Sequence, residues 1–264
     1  MSSFSDVEHY ATIISGCEAF SHGNSNSPDA RYALTVLQLH ANDAGLYAGQ
    51  EGFLDHVKKG AKNVKDWILA LIKAIKNYIQ ERRGDTQRIK EKHAAFKKRY
   101  EEAKSKAKSQ EKIAKLRSIY ADVNDKLKPA VVSVREKAES IDEKMQGETF
   151  STIGYGEGLK KTISELKSLE KAIEADDPIK VDGVYIIAAE ATIAAMNTLN
   201  DKLNAYVARN TRDEEMNKIG KEVSNVQAEL GGLNSAIITL GDKFSKAHEA
   251  ALDEFMNSDE TLKL

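Results

Sequence analysis

The amino-acid sequence predicts an all-α protein, an elongated antiparallel helical bundle with coiled-coil-like long helices. Only three prolines occur in 264 residues, so few positions would interrupt a helix. Aromatic residues make up 6% of the chain, whereas compact α/β enzymes usually carry more aromatic residues, glycine and proline. Apolar residues recur in alternating steps of three and four over much of the chain, which is the spacing of packed helices.

The first helix is predicted over 28–41. Ser27 supplies a capping hydroxyl, Pro28 suits the first helical position, and Asp29 lies at the positive end of the helix dipole. The Gly/Asn/Ser-rich stretch before it is predicted to be a loop. The N-terminal residues contain no basic segment followed by an apolar core, so we expect no signal peptide.

The stretch GAKNVKDWILALIKAIKNYIQERR, at positions 60–83, predicts an amphipathic helix that ends near Gly84 and Asp85. Its isoleucines and leucines fall within an arc of roughly 100°, with lysines on one border and Trp67 and Tyr78 on the other. The apolar run is too short to span a bilayer, which needs ~20 residues. The candidate face for a membrane or a partner consists of Trp67, Ile68, Leu71, Ile72, Ile75, Tyr78 and Ile79.

Three interpretations of this amphipathic face remain open at the level of sequence. It packs against the protein's own bundle, it binds a membrane surface, or it docks into the groove of a partner protein. All three require one apolar face, so periodicity does not separate them.

Positive charge is concentrated in residues 58–117. This stretch holds 20 Lys and Arg against 7 Asp and Glu, while the remainder holds 19 against 34. Such an asymmetry indicates a polyanionic partner or an acidic one, including the protein's own helices. The positions after residue 85 that would be buried form only a weak apolar pattern, so this basic helix is predicted to be largely solvated. The candidate contacts to nucleic acid or another polyanion are Arg82, Arg83, Arg88, Lys90, Lys97, Lys98, Arg99, Lys104, Lys106 and Lys108.

Heptad spacing dominates the rest of the chain and predicts a helical bundle. Pro129 is expected to kink or split one helix near Lys128. Glu190, the only charge in an apolar segment, is expected at the bundle edge or paired with a lysine. The last helix is predicted to begin at Thr211 and to contain more than five heptads, with apolar positions that include Phe244 and Ala247. The predicted organisation is an N-terminal helical region at 1–84, a basic arm at 85–117 and a heptad-rich bundle at 118–264.

Motifs that would support chemistry are missing from the sequence. There is no HExxH or CxxC pattern, and the lone Cys17 has no base nearby in sequence. The glycines of GYGEG, at 154–158, lack both the preceding strand and the Lys-Ser/Thr of a phosphate-binding loop, so an interhelical turn is predicted. We therefore expect no enzymatic activity, no metal, no cofactor and no small-molecule substrate.

About 40 residues ending at Ile79 are similar to a stretch found in virion-internal and structural proteins of large tailed bacteriophages. In that family an EGF-like junction leads into a Lys/Trp/Ile amphipathic helix, which here is Glu51-Gly52-Phe53 followed by 54–79. The resemblance implies a non-enzymatic virion component, packaged near DNA or ejected with it. Its expected partners are nucleic acid, other virion proteins or further copies of itself, in the virion or the host cytoplasm.

The long heptad helices and the apolar segment 184–199 also resemble, in shape only, α-helical pore-forming toxins. That resemblance implies the alternative function, a membrane-active protein that uses the helix at 53–79.

Overall fold

The all-α prediction is confirmed by a computed structural model of the chain. The structure describes residues 8–13, 15–16, 19, 24, 26–43, 64–107, 109–175, 177–209 and 213–258. Within these ranges every regular element is an α-helix and no strand occurs. The helices with defined bounds are α1 (Pro28–Asp43), α2 (Val64–Lys106), α3 (Gln110–Lys144), α4 (Glu148–Thr152), α5 (Lys160–Glu174), α6 (Pro178–Arg209) and α7 (Asp213–Asn257).

The start of α1 confirms the predicted capping arrangement. The backbone N–H of Ala30 donates to the Ser27 hydroxyl at 3.1 Å, and Asp29 lies in the first turn. This bond satisfies one of the backbone donors that every helix leaves unpaired at its N-terminus. The predicted start of the last helix at Thr211 lies outside the described residues.

The predicted break at Gly84 is wrong, because α2 runs without interruption through this position. A glycine inside a helix costs about 1 kcal/mol relative to alanine. The buried face of α2 continues on both sides, with Ile79 before Gly84 and Thr86 and Ile89 after it. Burial of that face outweighs the local preference of a single residue.

The prediction that the basic part of α2 is largely solvated is also wrong on one face. Ile89, Phe96, Ala103 and Ala107 are each at most 2% exposed. Phe96, Ala103 and Ala107 form one core cluster with Leu116 and Tyr120 of α3 and with Ala251, Leu252 and Phe255 of α7. Small side chains therefore do not mark a solvated helix here, because they allow the neighbouring helices to approach closely.

Two further local features bear on the sequence prediction. Pro129 lies inside α3 without splitting it, and its ring is on the exposed side of the helix. The connection predicted after Met145 contains a short helix, α4, followed by Gly154 with φ of 75°. That left-handed conformation suits glycine and ends α4, which fits the predicted interhelical turn.

The chain divides into two compact units. The first comprises Met1–Glu81, Met145–Gly156 and Met196–Glu229. Its described core takes apolar side chains from the first half of α2, the end of α6 and the start of α7. Gln227 Nε2 donates to the Met196 carbonyl at 2.8 Å, which ties α7 to α6 within this unit.

The second unit comprises Arg82–Lys144, Glu157–Ala195 and Leu230–Leu264. Here α7 runs parallel to α2, because Lys92 pairs with Asp242 and Arg99 pairs with Asp253 further along both helices. Helix α6 runs antiparallel to α7, since successive hydrogen bonds join Ala189 to Asn234 and Asp182 to His248. Helices α3 and α5 are also antiparallel and are joined by Arg135–Glu170 and Lys128–Glu174 pairs.

Candidate functional site

The predicted membrane or partner face of α2 lies in the core of the first unit. Ile68, Leu71, Ile72, Ile75, Tyr78 and Ile79 are all buried, with none more than 4% exposed. The side chain of Trp67 lies outside the described part of the structure. In addition, Asn200 Nδ2 of α6 donates to the Ile72 carbonyl at 3.4 Å. A lipid surface or a partner helix would reach these side chains only after the unit had opened.

Of the ten predicted polyanion contacts, four form ion pairs within the second unit and one lies outside the described residues. Lys90 pairs with Glu190 of α6, and Arg99 pairs with Asp253 of α7. Arg82 and Arg88 both reach Asp85, at 3.2 and 3.6 Å. Lys108 lies outside the described residues. The Lys90 contact also confirms the prediction that Glu190 pairs with a lysine.

The remaining basic residues of the set point outward from α2. Lys97, Lys98 and Lys104 are exposed, and Lys106 is half-exposed. Arg83 is exposed as well, but it already interacts with another group of the protein. Lys97 and Lys104 are seven residues apart, so they lie on one side of the helix about 10 Å from each other. We call the three exposed lysines, Lys97, Lys98 and Lys104, the α2 basic row.

A second arrangement, a buried polar cluster in the second unit, did not emerge from the sequence. His248 of α7 and Asp182 of α6 are both fully buried, and His248 Nδ1 lies 3.1 Å from Asp182 Oδ1. Because a carboxylate oxygen accepts, Nδ1 carries the proton of this bond. The other ring nitrogen, Nε2, lies 3.0 Å from the Asn124 side-chain oxygen of α3. His93 of α2 approaches the second carboxylate oxygen, with Nδ1 at 3.9 Å.

Aromatic side chains surround this cluster. Phe96 stacks on the His248 ring at a centroid distance of 5.9 Å, and Tyr120 meets its edge at 5.2 Å. Burial raises the pKa of Tyr120 above its ordinary value, and the charges of Tyr100 and Asp182 add to the effect. Burial, followed by Asp182, likewise raises the pKa of Tyr185. Both phenols are therefore held neutral, as expected beside a buried carboxylate.

The cluster was missed because its residues are far apart in sequence and none belongs to a motif. The sequence feature that could have revealed the cluster is His248, which directly follows Ala247, an apolar position of the predicted heptads. The structure buries His248 completely, whereas Ala247 is only half-buried. The step from Phe244 to His248 is four residues, so His248 also satisfies helical spacing.

The structure contains few other features of a binding site. Among the described residues, no group of three or more His, Cys, Asp or Glu side chains is arranged to hold a metal ion. No helix in the described ranges is long and apolar enough to cross a membrane. Comparisons with protein families, curated proteins and solved structures gave no match.

Proposed function

We propose that the protein is a non-enzymatic structural or interaction protein, a component of a tailed-bacteriophage virion that contacts nucleic acid or other virion proteins through α2. The observation that carries the proposal is the α2 basic row. Its three side chains are exposed and belong to a stretch with 20 basic residues against 7 acidic ones. The rest of the chain is acidic, so this charge is a local feature and not a property of the whole surface.

The ion pairs of other basic residues indicate that different side chains of α2 have different roles. Lys90, Lys92 and Arg99 neutralise carboxylates of α6 and α7, and this contributes to docking α2 in the second unit. Exposed pairs of this kind contribute about 0.2–1 kcal/mol each. The α2 basic row is then available for an external polyanion.

Binding through this row would be independent of base sequence and sensitive to salt. If three lysines each neutralise one phosphate, the affinity falls with a log–log slope of about −2.7 in salt concentration. That slope weakens binding roughly 40-fold between about 50 and 200 mM salt.

The experiment compares two triple variants by fluorescence anisotropy with a labelled duplex DNA. Lys97→Gln/Lys98→Gln/Lys104→Gln removes the lysines of the α2 basic row, and we expect it to abolish most of the salt-dependent binding. Lys126→Gln/Lys161→Gln/Lys171→Gln removes three exposed lysines of α3 and α5, and should bind almost as the unmodified chain does. Equal losses in both variants, or no DNA binding at low salt, would contradict the nucleic-acid part of the proposal.

The virion assignment rests on the resemblance of the segment ending at Ile79 and needs its own test. Mass spectrometry of purified particles of a phage whose genome encodes this sequence should detect the chain in stoichiometric amounts. Detection only in the infected-cell lysate would refute the assignment without affecting the DNA-binding result. A partner in the virion would be recognised by cross-linking from Lys97 or Lys104, whose amines are exposed.

A further inference from the structure

Helix α7 buries four rows of side chains in the second unit, not the two rows of a simple coiled coil, and one of the four comprises Gly231, Ile238, Ser245 and Leu252. Two rows are apolar and include Leu230, Leu233, Ile237 and Leu240. The third row consists of Asn234, Gly241 and His248, which are buried and seven residues apart. An amide, a bare Cα and an imidazole therefore occupy successive equivalent positions in the core.

Each member of the third row meets a different feature of α6. Asn234 Nδ2 donates to the Ala189 carbonyl at 3.0 Å. Gly241 lies against the ring of Tyr185 so closely that a Cβ there would be 2.4 Å from two ring carbons. His248 donates to Asp182 at 3.1 Å. The three contacts need three different residues in a fixed order.

The apolar rows alone would not define this order. Leucine and isoleucine positions repeat every heptad, so a slip of α7 along α6 by seven residues replaces one aliphatic contact with another. Cores tolerate such exchanges at modest cost when volume is preserved. A repeated apolar pattern therefore leaves helix register weakly specified, and a buried polar residue is the best-attested means of specifying it.

A slip by one heptad in either direction disrupts the third row. In one direction His248 would face Tyr185, where no Cβ fits, and Phe255 would face Asp182. In the other direction Asn234 would face Tyr185 and Gly241 would face Asp182, which then loses its bond to the imidazole. A buried charge that is left without its partner is strongly destabilising.

We infer that Asn234, Gly241 and His248 form a register code that fixes α7 against α6 in the second unit. Asn124 extends the code to α3, because its side-chain amide group lies 3.0 Å from His248 Nε2. The code selects one alignment from several that the apolar rows would accept. This role is independent of any ligand.

Spin-label distance measurements test the register directly. Labels are attached to cysteines introduced at Ile187 and Ala250, both exposed, in a Cys17→Ser background. A slip of one heptad changes the axial offset of these positions by about 10 Å. We expect one label–label distance in the chain with the intact code.

The decisive variant removes the Asp182 carboxylate, the His248–Asn124 contact and the Tyr185 ring that excludes a Cβ. Asn124→Leu/Asp182→Leu/Tyr185→Leu/His248→Leu leaves apolar side chains at all four positions. The unit should remain folded, because no buried charge is left unpaired. A second label–label distance should then appear, about 10 Å along the helix axis from the first register.

The matched control, Leu233→Met/Leu240→Met, changes the apolar rows and leaves the code intact. It should keep the single distance, because volume-conserving exchanges of this kind are well tolerated. A single unchanged distance in the quadruple variant, also after Asn234→Leu is added to it, would overturn the inference, since only the apolar rows would then remain to fix the register.

A single substitution provides an independent test if the quadruple variant does not fold. Asn234→Leu removes one code member while the Ala189 carbonyl keeps its helical hydrogen bond. We expect a minor population at the slipped distance, increasing with temperature. If Asn234→Leu and the apolar control give the same distance distribution at every temperature, the code is refuted.

Discussion

Replacing Gly241 by alanine should destabilise the second unit, although alanine is the better helix former. The new Cβ would lie 2.4 Å from two ring carbons of Tyr185 and 2.9 Å from a third. Ordinary carbon contacts lie at about 3.5–4.0 Å, so the ring or the helix must move by about 1 Å. Tyr185 is fully buried, which leaves the ring little room.

The magnitude follows from two opposing effects. Overpacking in a core costs about 1–3 kcal/mol, and this contact is short enough to belong in the upper half of that range. Alanine gains about 1 kcal/mol over glycine in a helix interior. The expected net loss for Gly241→Ala is therefore about 1–2 kcal/mol in the free energy of unfolding.

Two other glycines in long helices serve as controls. A Cβ at Gly84 would meet nothing within 4 Å, so Gly84→Ala should stabilise by about 0.5–1 kcal/mol. A Cβ at Gly232 would lie 3.2 Å from Lys137 Nζ, the mobile end of a flexible side chain. Because the lysine can move away, Gly232→Ala should behave like Gly84→Ala.

Urea unfolding followed by far-UV circular dichroism measures all three variants. The slopes should be equal, so that shifts in midpoint report stability alone. In a Tyr185→Leu background the cost of Gly241→Ala should shrink, because the ring that it meets is gone. If Gly241→Ala stabilises the protein as much as Gly84→Ala does, the close approach of α7 and α6 is refuted.

Three further predictions concern titration, capping and ion pairing. Because the pKa values of Tyr120 and Tyr185 are raised in the folded state, their contribution to stability should be constant below the ordinary tyrosine pKa of 10.0 and fall above it. Tyr120→Phe should reduce the fall in stability above pH 10.0 in denaturant titrations, and an unchanged fall would contradict the prediction. Ser27→Ala should lower the free energy of unfolding by about 1 kcal/mol, because the α1 cap is lost. The control is Asn26→Ala, which changes the neighbouring exposed side chain, and equal effects of the two substitutions would show that the cap does not stabilise α1. A double-mutant cycle on Lys90→Gln and Glu190→Gln should give a coupling of about 0.2–1 kcal/mol that disappears in high salt. A coupling that persists in high salt would show that the pair is not the exposed contact described above.

Helix starts and long apolar repeats were the most predictable features of this fold. Ser27, Pro28 and Asp29 act within one turn, so their effect is set locally and the structure confirms it. The prediction at Gly84 was wrong for the opposite reason. Glycine disfavours a helix locally, but the buried face of the surrounding helix continues past it, and tertiary packing outweighs a cost of about 1 kcal/mol.

The basic residues illustrate a different limit. Sequence shows where positive charge is concentrated, but not which charges face the protein's own carboxylates. Glu190, Asp242 and Asp253 lie between 100 and 154 residues from their partners in the sequence. Pairing at that separation depends on which helices become neighbours, and the heptad pattern does not specify neighbours. Lys90 and Arg99 therefore differ from the α2 basic row only in the folded structure, where they pair with the protein's own carboxylates.

The third row of α7 shows why the most specific part of the core was hardest to recognise. A search for apolar heptads follows Leu233, Ile237 and Leu240 correctly and then prefers Ala247 to His248, because alanine is apolar. In the structure α7 is covered on a wider face than a two-stranded coiled coil requires, so four positions per heptad are buried, and Asn234, Gly241 and His248 occupy one of them. Selection for apolar character cannot detect a row composed of asparagine, glycine and histidine. Its members are recognisable only by their spacing of seven residues. A polar residue or a glycine that recurs at this spacing within a long apolar repeat indicates that the core fixes the register of the helix.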